Sequence, residues 1–232
     1  MYRTLDPEKI EQTIVTLNVR IRERFPDSGL NNVCEELINI ADESKDRAIG
    51  FSKPNKFMRV VVACIILFSV FVLYYSSSHL NVTVKALSWG EIMQIFEASI
   101  NNLIFIGAAL FFLVTFEIRL KRKRALSALY ELRALAHVID MHQLTKDPSK
   151  VFTKNMLTKS SPIMRLSSYE LIRYLDYCSE MLSLTGKIAA IYAENLKDEV
   201  VISAVNEIEN LTTGLSRKIW QKIIIINKLQ SK

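Results

Sequence analysis

Two apolar runs constrain this chain more than any other feature. From Val60 to Tyr75 it reads VVVACIILFSVFVLYY without a charge, and Phe57 and Met58 extend the run past a lone Arg59, whose long stem can snorkel toward headgroups. The extended run is about 19 residues, close to the roughly 20 that a helix needs to cross a hydrocarbon layer about 30 Å thick. Tyr74 and Tyr75 at its far end suit an interfacial aromatic belt. The second run, LIFIGAALFFLVTF from Leu103 to Phe116, is shorter. Ile100, Asn101 and Asn102 upstream and Ile118 and Leu120 downstream can complete its crossing. Gly107, Ala108 and Ala109 form a small-residue patch of the kind that lets membrane helices approach closely.

Half of the 232 residues are apolar while 23% are charged, a combination that implies segregation into fatty and charged blocks. The net charge of +6 would suggest nucleic acid in a soluble protein, but much of the excess flanks the apolar runs. Lys45, Arg47, Lys53, Lys56 and Arg59 precede the first run, and Arg119, Lys121, Arg122, Lys123 and Arg124 follow the second. The segment between, Ser76 to Asn102, contains only Lys85. By the positive-inside rule both termini are expected in the cytoplasm and the connection outside. The polar N-terminus MYRTLDPEKIEQT lacks the early apolar core of a secretory signal, so the first run is expected to act as an internal insertion signal.

The expected fold class is therefore all-α: a two-span transmembrane helical hairpin with cytoplasmic helical, coiled-coil-like segments at both ends. The boundaries are cytoplasmic N-terminal helices over 1–56, a first span over 57–76, an external connection over 77–100, a second span over 101–118 and a cytoplasmic helical domain over 119–232. In the connection, Trp89, Ile92, Met93, Phe96 and Ile100 make an amphipathic stripe with Glu91, Gln94 and Glu97 off it. A helix from Ser88 to Ile100 can lie on the outer leaflet or pack on a neighbouring subunit.

Before the first span, Ile10, Ile14, Leu17 and Ile21 predict a helix from Pro7 to Phe25, broken by Pro26, Asp27, Ser28 and Gly29. A second helix is expected from Asn32 through Val33, Leu37 and Ile40 to a junction at Ser52, Lys53 and Pro54. After the second span, Ala125, Ala128, Leu129, Leu132, Leu135, Ala136 and Ile139 continue a helix with one apolar face. Residues Lys146 to Pro162 read as a loop. Ser167 with Glu170 forms a capping box. Leu171, Leu175, Cys178, Leu182, Thr185, Ala189, Tyr192 and Leu196 then alternate by four and three. Asp198 caps a last helix in which Val201, Val205, Ile208, Thr212, Leu215, Ile219, Lys222 and Ile226 repeat the pattern. Two antiparallel helices packed along these seams would close the domain with a hairpin. Lys222 at a seam position either ends the contact or marks a partner surface. Leu171, Leu175, Leu182, Val205, Ile208, Leu215 and Ile219 are the seam residues that a partner would occupy.

No phosphate loop, nucleophile elbow or H-E-x-x-H pattern occurs. Cys34, Cys64 and Cys178 are too far apart in sequence to suggest a zinc site, and their odd number does not support a disulfide framework. His137 and Asp140 lie one turn apart, but His142 points more than about 100° from His137 at helical pitch, so a metal site is not expected. The run Lys121 to Arg124 lacks aromatic interleaving and abuts the span, which favours anionic headgroups over nucleic acid. Neither run holds an ionisable Asp, Glu, Lys, Arg or His away from its ends, which argues against a pump or transporter. The expectation is a non-enzyme without cofactors.

AHVIDMHQLTKDP from Ala136 to Pro148, YLDYCSEMLSLTGKIAAIY from Tyr174 to Tyr192 and NEIENLTTGLSRKIWQK from Asn206 to Lys222 resemble a group of poorly characterised bacterial membrane proteins of this layout. Two spans with cytoplasmic helical domains also resemble the two-transmembrane effectors of bacterial antiphage defence systems, including those encoded beside retron reverse transcriptases. That resemblance implies an inner-membrane toxin of abortive infection. Such a toxin is held inactive by a cytoplasmic protein or ribonucleoprotein partner such as a reverse transcriptase complex, and on release it assembles as a homo-oligomer to permeabilise the bilayer. The alternative from another class is a non-enzymatic membrane anchor that recruits a cytoplasmic partner through the same seams.

Overall fold

A computed structural model describes residues 4–52, 56–79, 89–148 and 166–230 of the chain. These residues form six α-helices with no strand among them: α1 (Pro7–Arg24), α2 (Gly29–Ser52), α3 (Lys56–His79), α4 (Trp89–Leu144), α5 (Ser168–Asn195) and α6 (Glu199–Gln230). The junction at Lys53 and Pro54, the connection around Lys85 and most of the loop before Pro162 lie outside the described residues.

The chain divides into two compact units, residues 1–52 with 122–232, and residues 53–121. In the first unit, the Asp6 side chain accepts the Glu8 N–H at 3.1 Å and Pro7 takes the first turn of α1, where its missing N–H costs nothing. The face bearing Ile10, Ile14, Leu17 and Ile21 is buried. The helix ends where the Phe25 N–H reaches the Ile21 carbonyl, ahead of Pro26. Helix α2 starts at Gly29, earlier than the expected Asn32, because the Ser28 hydroxyl accepts the Leu30 N–H at 3.2 Å and caps it. Gly29 is also a close approach: a Cβ there would sit 2.9 Å from the His142 ring.

The capping box at α5 is complete, with Ser167 and Glu170 each accepting the other's backbone N–H. Only Leu196 to Asp198 separate α5 from α6, so the two helices must run antiparallel to pack. They meet along Leu171, Leu175, Cys178, Leu182, Thr185, Ala189 and Tyr192 on one side and Val201, Val205, Ile208, Thr212, Leu215, Ile219 and Ile226 on the other, all buried. Ala125, Ala128, Leu129, Leu132, Leu135, Ala136 and Ile139 of α4, with Leu30, Leu37 and Ala41 of α2, complete the same core. Two hydroxyls enter it together: Tyr192 donates to Ser44 at 2.9 Å, and Ser44 donates to the Ile40 carbonyl at 2.6 Å.

The second unit holds α3 and the first part of α4. Helix α4 runs without interruption from Trp89 to Leu144, so the separate amphipathic helix expected up to Ile100 and the span expected from Asn101 are one element. The physical reason lies in the joint itself, EASINNLIF, which offers neither proline nor glycine to stop a helix that has already nucleated upstream. The polar pair Asn101–Asn102 only lowers propensity slightly.

Candidate functional site

Among the described residues of the second unit, many large apolar side chains are exposed. In α4 the most apolar eighteen-residue window has no buried residue, and Leu103, Phe105, Phe111 and Phe112 are each two-thirds exposed or more. Among the described residues α4 is the one helix long and apolar enough to cross a membrane, and α3 carries a shorter apolar stretch, Phe57–Val72. Leu67, Phe68 and Phe71 on α3 are exposed in the same way. At about 25 cal/mol per Å² such surface is strongly unfavourable in water, so lipid or another apolar chain must cover it. The Ser69 hydroxyl donates to the Ile65 carbonyl at 2.8 Å, which satisfies it inside its own helix.

Gly107, Ala108 and Ala109 sit in this stretch of α4 with Gly107 and Ala108 exposed, and a Cβ at Gly107 would meet nothing within 4 Å. A second helix backbone therefore has room to approach that patch. Arg59, Arg119, Lys123 and Arg124 are exposed at the ends of the apolar stretches, while Lys121 pairs with Glu117 at 3.0 Å. Arg122 is the exception. Its Nε donates to both Asp198 oxygens at 3.0 and 2.9 Å and its Nη2 donates to Oδ2 at 2.7 Å. Asp198 Oδ1 also accepts the N–H groups of Val200 and Val201 at 3.1 and 3.3 Å, the capping expected from sequence. Burial pushes the Asp198 carboxyl up, but Arg122 and the two backbone donors outweigh it and hold the group below its ordinary value.

The seven residues expected to form a partner seam, Leu171, Leu175, Leu182, Val205, Ile208, Leu215 and Ile219, are all 5% exposed or less. They are spent on the chain's own core and present no surface to a partner in this fold. Lys222 neither ends the seam nor faces outward. Its Nζ donates to the Gln143 main-chain oxygen at 2.7 Å and to Gln143 Oε1 at 2.6 Å, and Gln143 Nε2 donates to Asp140. Burial lowers the Lys222 pKa, with Asp147 and Asp140 opposing it. A lysine at a seam position was the available sign of such a buried acceptor, but nothing in the sequence shows that Gln143 supplies it.

His142 faces Tyr174, with Nδ1 3.3 Å from the phenol oxygen, and Asp140 is engaged by Gln143. No group of three or more His, Cys, Asp or Glu side chains is placed to hold a metal among the described residues. Cys34 and Cys178 are buried, which pushes their thiols up to about 11 and about 12, so neither supplies a thiolate at neutral pH.

A cluster that sequence reading missed joins α1 to α5. Arg20 and Arg173 stand 5.2 and 5.3 Å from the Tyr177 ring centre, and Arg24 stands 5.5 Å from that of Tyr169. Arg20 also donates both terminal nitrogens to Glu180, at 2.9 and 3.1 Å, and Arg173 pairs with Asp176 at 3.0 Å. With Glu23 lining the same hollow, three guanidiniums face three carboxylates. That balance leaves no net field to draw in an anion, so the cluster ties helices together. Compared with known protein families, with curated proteins and with solved structures, the chain matches none.

Proposed function

We propose that the chain is a two-span, multi-pass protein of the bacterial inner membrane with both termini in the cytoplasm, and that it acts as the effector of an antiphage abortive-infection system of the retron kind. Held by a cytoplasmic partner, it is silent; released, several copies assemble through their apolar helices and depolarise the membrane. The observation that carries the membrane part is the most apolar eighteen-residue window of α4, which has no buried residue, together with the absence of any Asp, Glu, Lys, Arg or His from residues 98–116 around Gly107. The α3 stretch Phe57–Val72 supplies the second crossing, completed to about 19 residues by interfacial Tyr74 and Tyr75. The lysines and arginines that flank these stretches support the orientation. Two helices cannot enclose a pore alone, so the reading requires several copies, and the open Gly107 surface gives them a place to meet. The antiphage assignment rests on the resemblance of sequence texture and layout given above.

Expression alone and beside its genomic neighbours, with membrane potential and viability followed in each case, tests this reading. Depolarisation that a neighbour suppresses supports it. Gly107→Leu, which places a branched side chain on the open patch, is expected to leave membrane insertion intact and to reduce depolarisation at least about ten-fold, the effect of losing roughly 1.4 kcal/mol of helix contact. Cultures that stay polarised under every condition would refute the effector and turn the assignment to a membrane anchor.

A further inference from the structure

The last helix of the folded unit carries a surface that its own core does not use. Between Asn210 and Lys232 there is no acidic residue, while Arg217, Lys218, Lys222, Lys228 and Lys232 are cationic. Lys222 turns inward to Gln143, but Arg217, Lys218 and Lys228 are exposed. Among them stand Trp220, 56% exposed, with Ile224 and Ile225, each nearly half exposed. Helical pitch places these residues on one half of α6, opposite the buried Ile219, Ile223 and Ile226. An aromatic anchor ringed by aliphatics and cations is the composition of a docking face, not of a solvated one.

The same unit presents the opposite pattern elsewhere. A groove of about 460 Å³ between α2 and α4 is lined by Glu36, Glu43 and Glu131 against the single cation Arg47, over a floor of Ile40, Ala134, Leu135 and Val138. Arg47 is already engaged with Glu43 at 2.6 Å and Glu131 at 3.1 Å, so the groove keeps an acidic excess. Val138, which lines it, is itself exposed, and Met141 follows it as another exposed apolar residue three positions along the same helix. Both surfaces lie in one unit of one chain and neither fills the other.

We propose that the Arg217–Lys228 face of α6 docks into the α2–α4 groove of a second copy. The match is of kind and of charge: apolar anchors meet an apolar floor, and an all-cationic rim meets a glutamate-rich one. Because the two surfaces are different, the contact is head-to-tail, and each docked copy still offers a groove and a face to the next. The chain thus carries its own means of building an assembly of more than two copies outside the bilayer. This deepens the effector reading by supplying how copies gather, and it is read out without reference to membrane potential, so either can fail alone.

Full-length chains in lipid nanodiscs or mild detergent, all carrying Cys64→Ser, test it. One population carries Ile224→Cys on the face and the other Ala134→Cys in the groove, and disulfide formation between the two is measured after mixing. Cross-linking that greatly exceeds that of either population alone, and that falls with salt, is expected. Arg217→Glu with Lys218→Glu in the first population should weaken association by about ten-fold, and Glu36→Lys with Glu43→Lys in the second should restore it. Arg47 retains Glu131 in that reversed groove, so its fold is preserved, and circular dichroism of each variant checks this. Absence of the mixed cross-link, or charge reversals that do not rescue one another in folded variants, would overturn the proposal. So would Trp220 quenching by brominated anionic lipid without a cross-link, which would assign the face to the bilayer.

Discussion

Asp198 closes the α5–α6 hairpin by two means at once, and removing them separately gives the sharpest test of the fold. Its Oδ1 caps α6 through Val200 and Val201, and its pair of oxygens takes a forked guanidinium from Arg122. A lost cap costs about 1 kcal/mol, within a range of roughly 0.5–2. Hydrogen bonds to a charged group contribute about 1.5–3 kcal/mol. Arg122 is 39% exposed while Asp198 is 7% exposed, so water screens the cation's side and the pair is better set at about 1–2. Asp198→Asn keeps a capping oxygen and should cost about 1–2 kcal/mol; Asp198→Ala loses both functions and should cost about 2–3.

The assay is urea unfolding of the full chain in nanodiscs, followed by Trp220 fluorescence in a Trp89→Phe background, which leaves one tryptophan of two. The pH dependence has a definite sign. The folded carboxyl lies below its ordinary 3.8, so its contribution is fully present above that value and disappears as pH falls through the folded pKa. The gap between wild type and Asp198→Ala should narrow on acidification below about 4, and the gap between Asp198→Asn and Asp198→Ala should not. Equal losses in the two variants would refute the cap, and losses below about 0.5 kcal/mol in both would refute the tie altogether.

Two further changes probe polar groups held inside the core. Ser44→Ala leaves the buried Tyr192 hydroxyl without its acceptor and should destabilise the unit by about 1–2 kcal/mol, more than Tyr192→Phe, which removes the donor with the need for it; the same unfolding assay ranks them. Lys222→Met leaves Gln143 Oε1 without its lysine donor in a residue 1% exposed, while the Gln143 main-chain oxygen keeps the Lys146 N–H at 3.1 Å; Gln143→Leu leaves the lysine only that main-chain oxygen, so the double variant should lose less than the sum by about 0.5–3 kcal/mol. Additive losses would show that the pair is not coupled. With its pKa lowered by burial, Lys222 adds stability as pH rises toward its ordinary 10.5, a rise that Lys222→Met should lack.

What could be read from sequence was whatever obeys a short period. Ile10, Ile14, Leu17 and Ile21, the capping box at Ser167 and Glu170, and the two seams from Leu171 and Val201 are all local patterns of three and four, and the structure buries those faces. What period could not supply was the partner of each face. A heptad shows that a stripe wants burial, not who provides it; here the two seams bury each other, with α2 packed against α5. The ion pairs Arg20–Glu180 and Arg122–Asp198 span 160 and 76 residues, beyond any local signal. Helix continuity through Ser99 to Asn102 was missed for a different reason. Asn101 and Asn102 disfavour a helix only weakly, and no breaker stands beside them.

Arg122 shows how one residue read only as a topology marker can serve the fold instead. It stands in the run Lys121 to Arg124, where sequence alone gives four equivalent cations. The structure separates them: Lys121 leans back on Glu117, Arg122 is forked onto Asp198, and Lys123 and Arg124 are exposed. Insertion counts positive charge near a span end whatever its folded contacts, and the run offers three other cations, so losing one should not invert the chain. Folding does depend on the contact, because Arg122→Gln leaves Asp198 Oδ2 without its donor in a nearly buried site and should cost about 1–3 kcal/mol. Lys123→Gln with Arg124→Gln should do the reverse, with stability within about 0.5 kcal/mol of wild type and topology loosened. Protease protection of the N-terminal segment in oriented vesicles reads topology, and urea unfolding reads stability. If Arg122→Gln inverted the chain while leaving the unfolding midpoint unmoved, the residue would be a topology marker after all and its bond to Asp198 incidental.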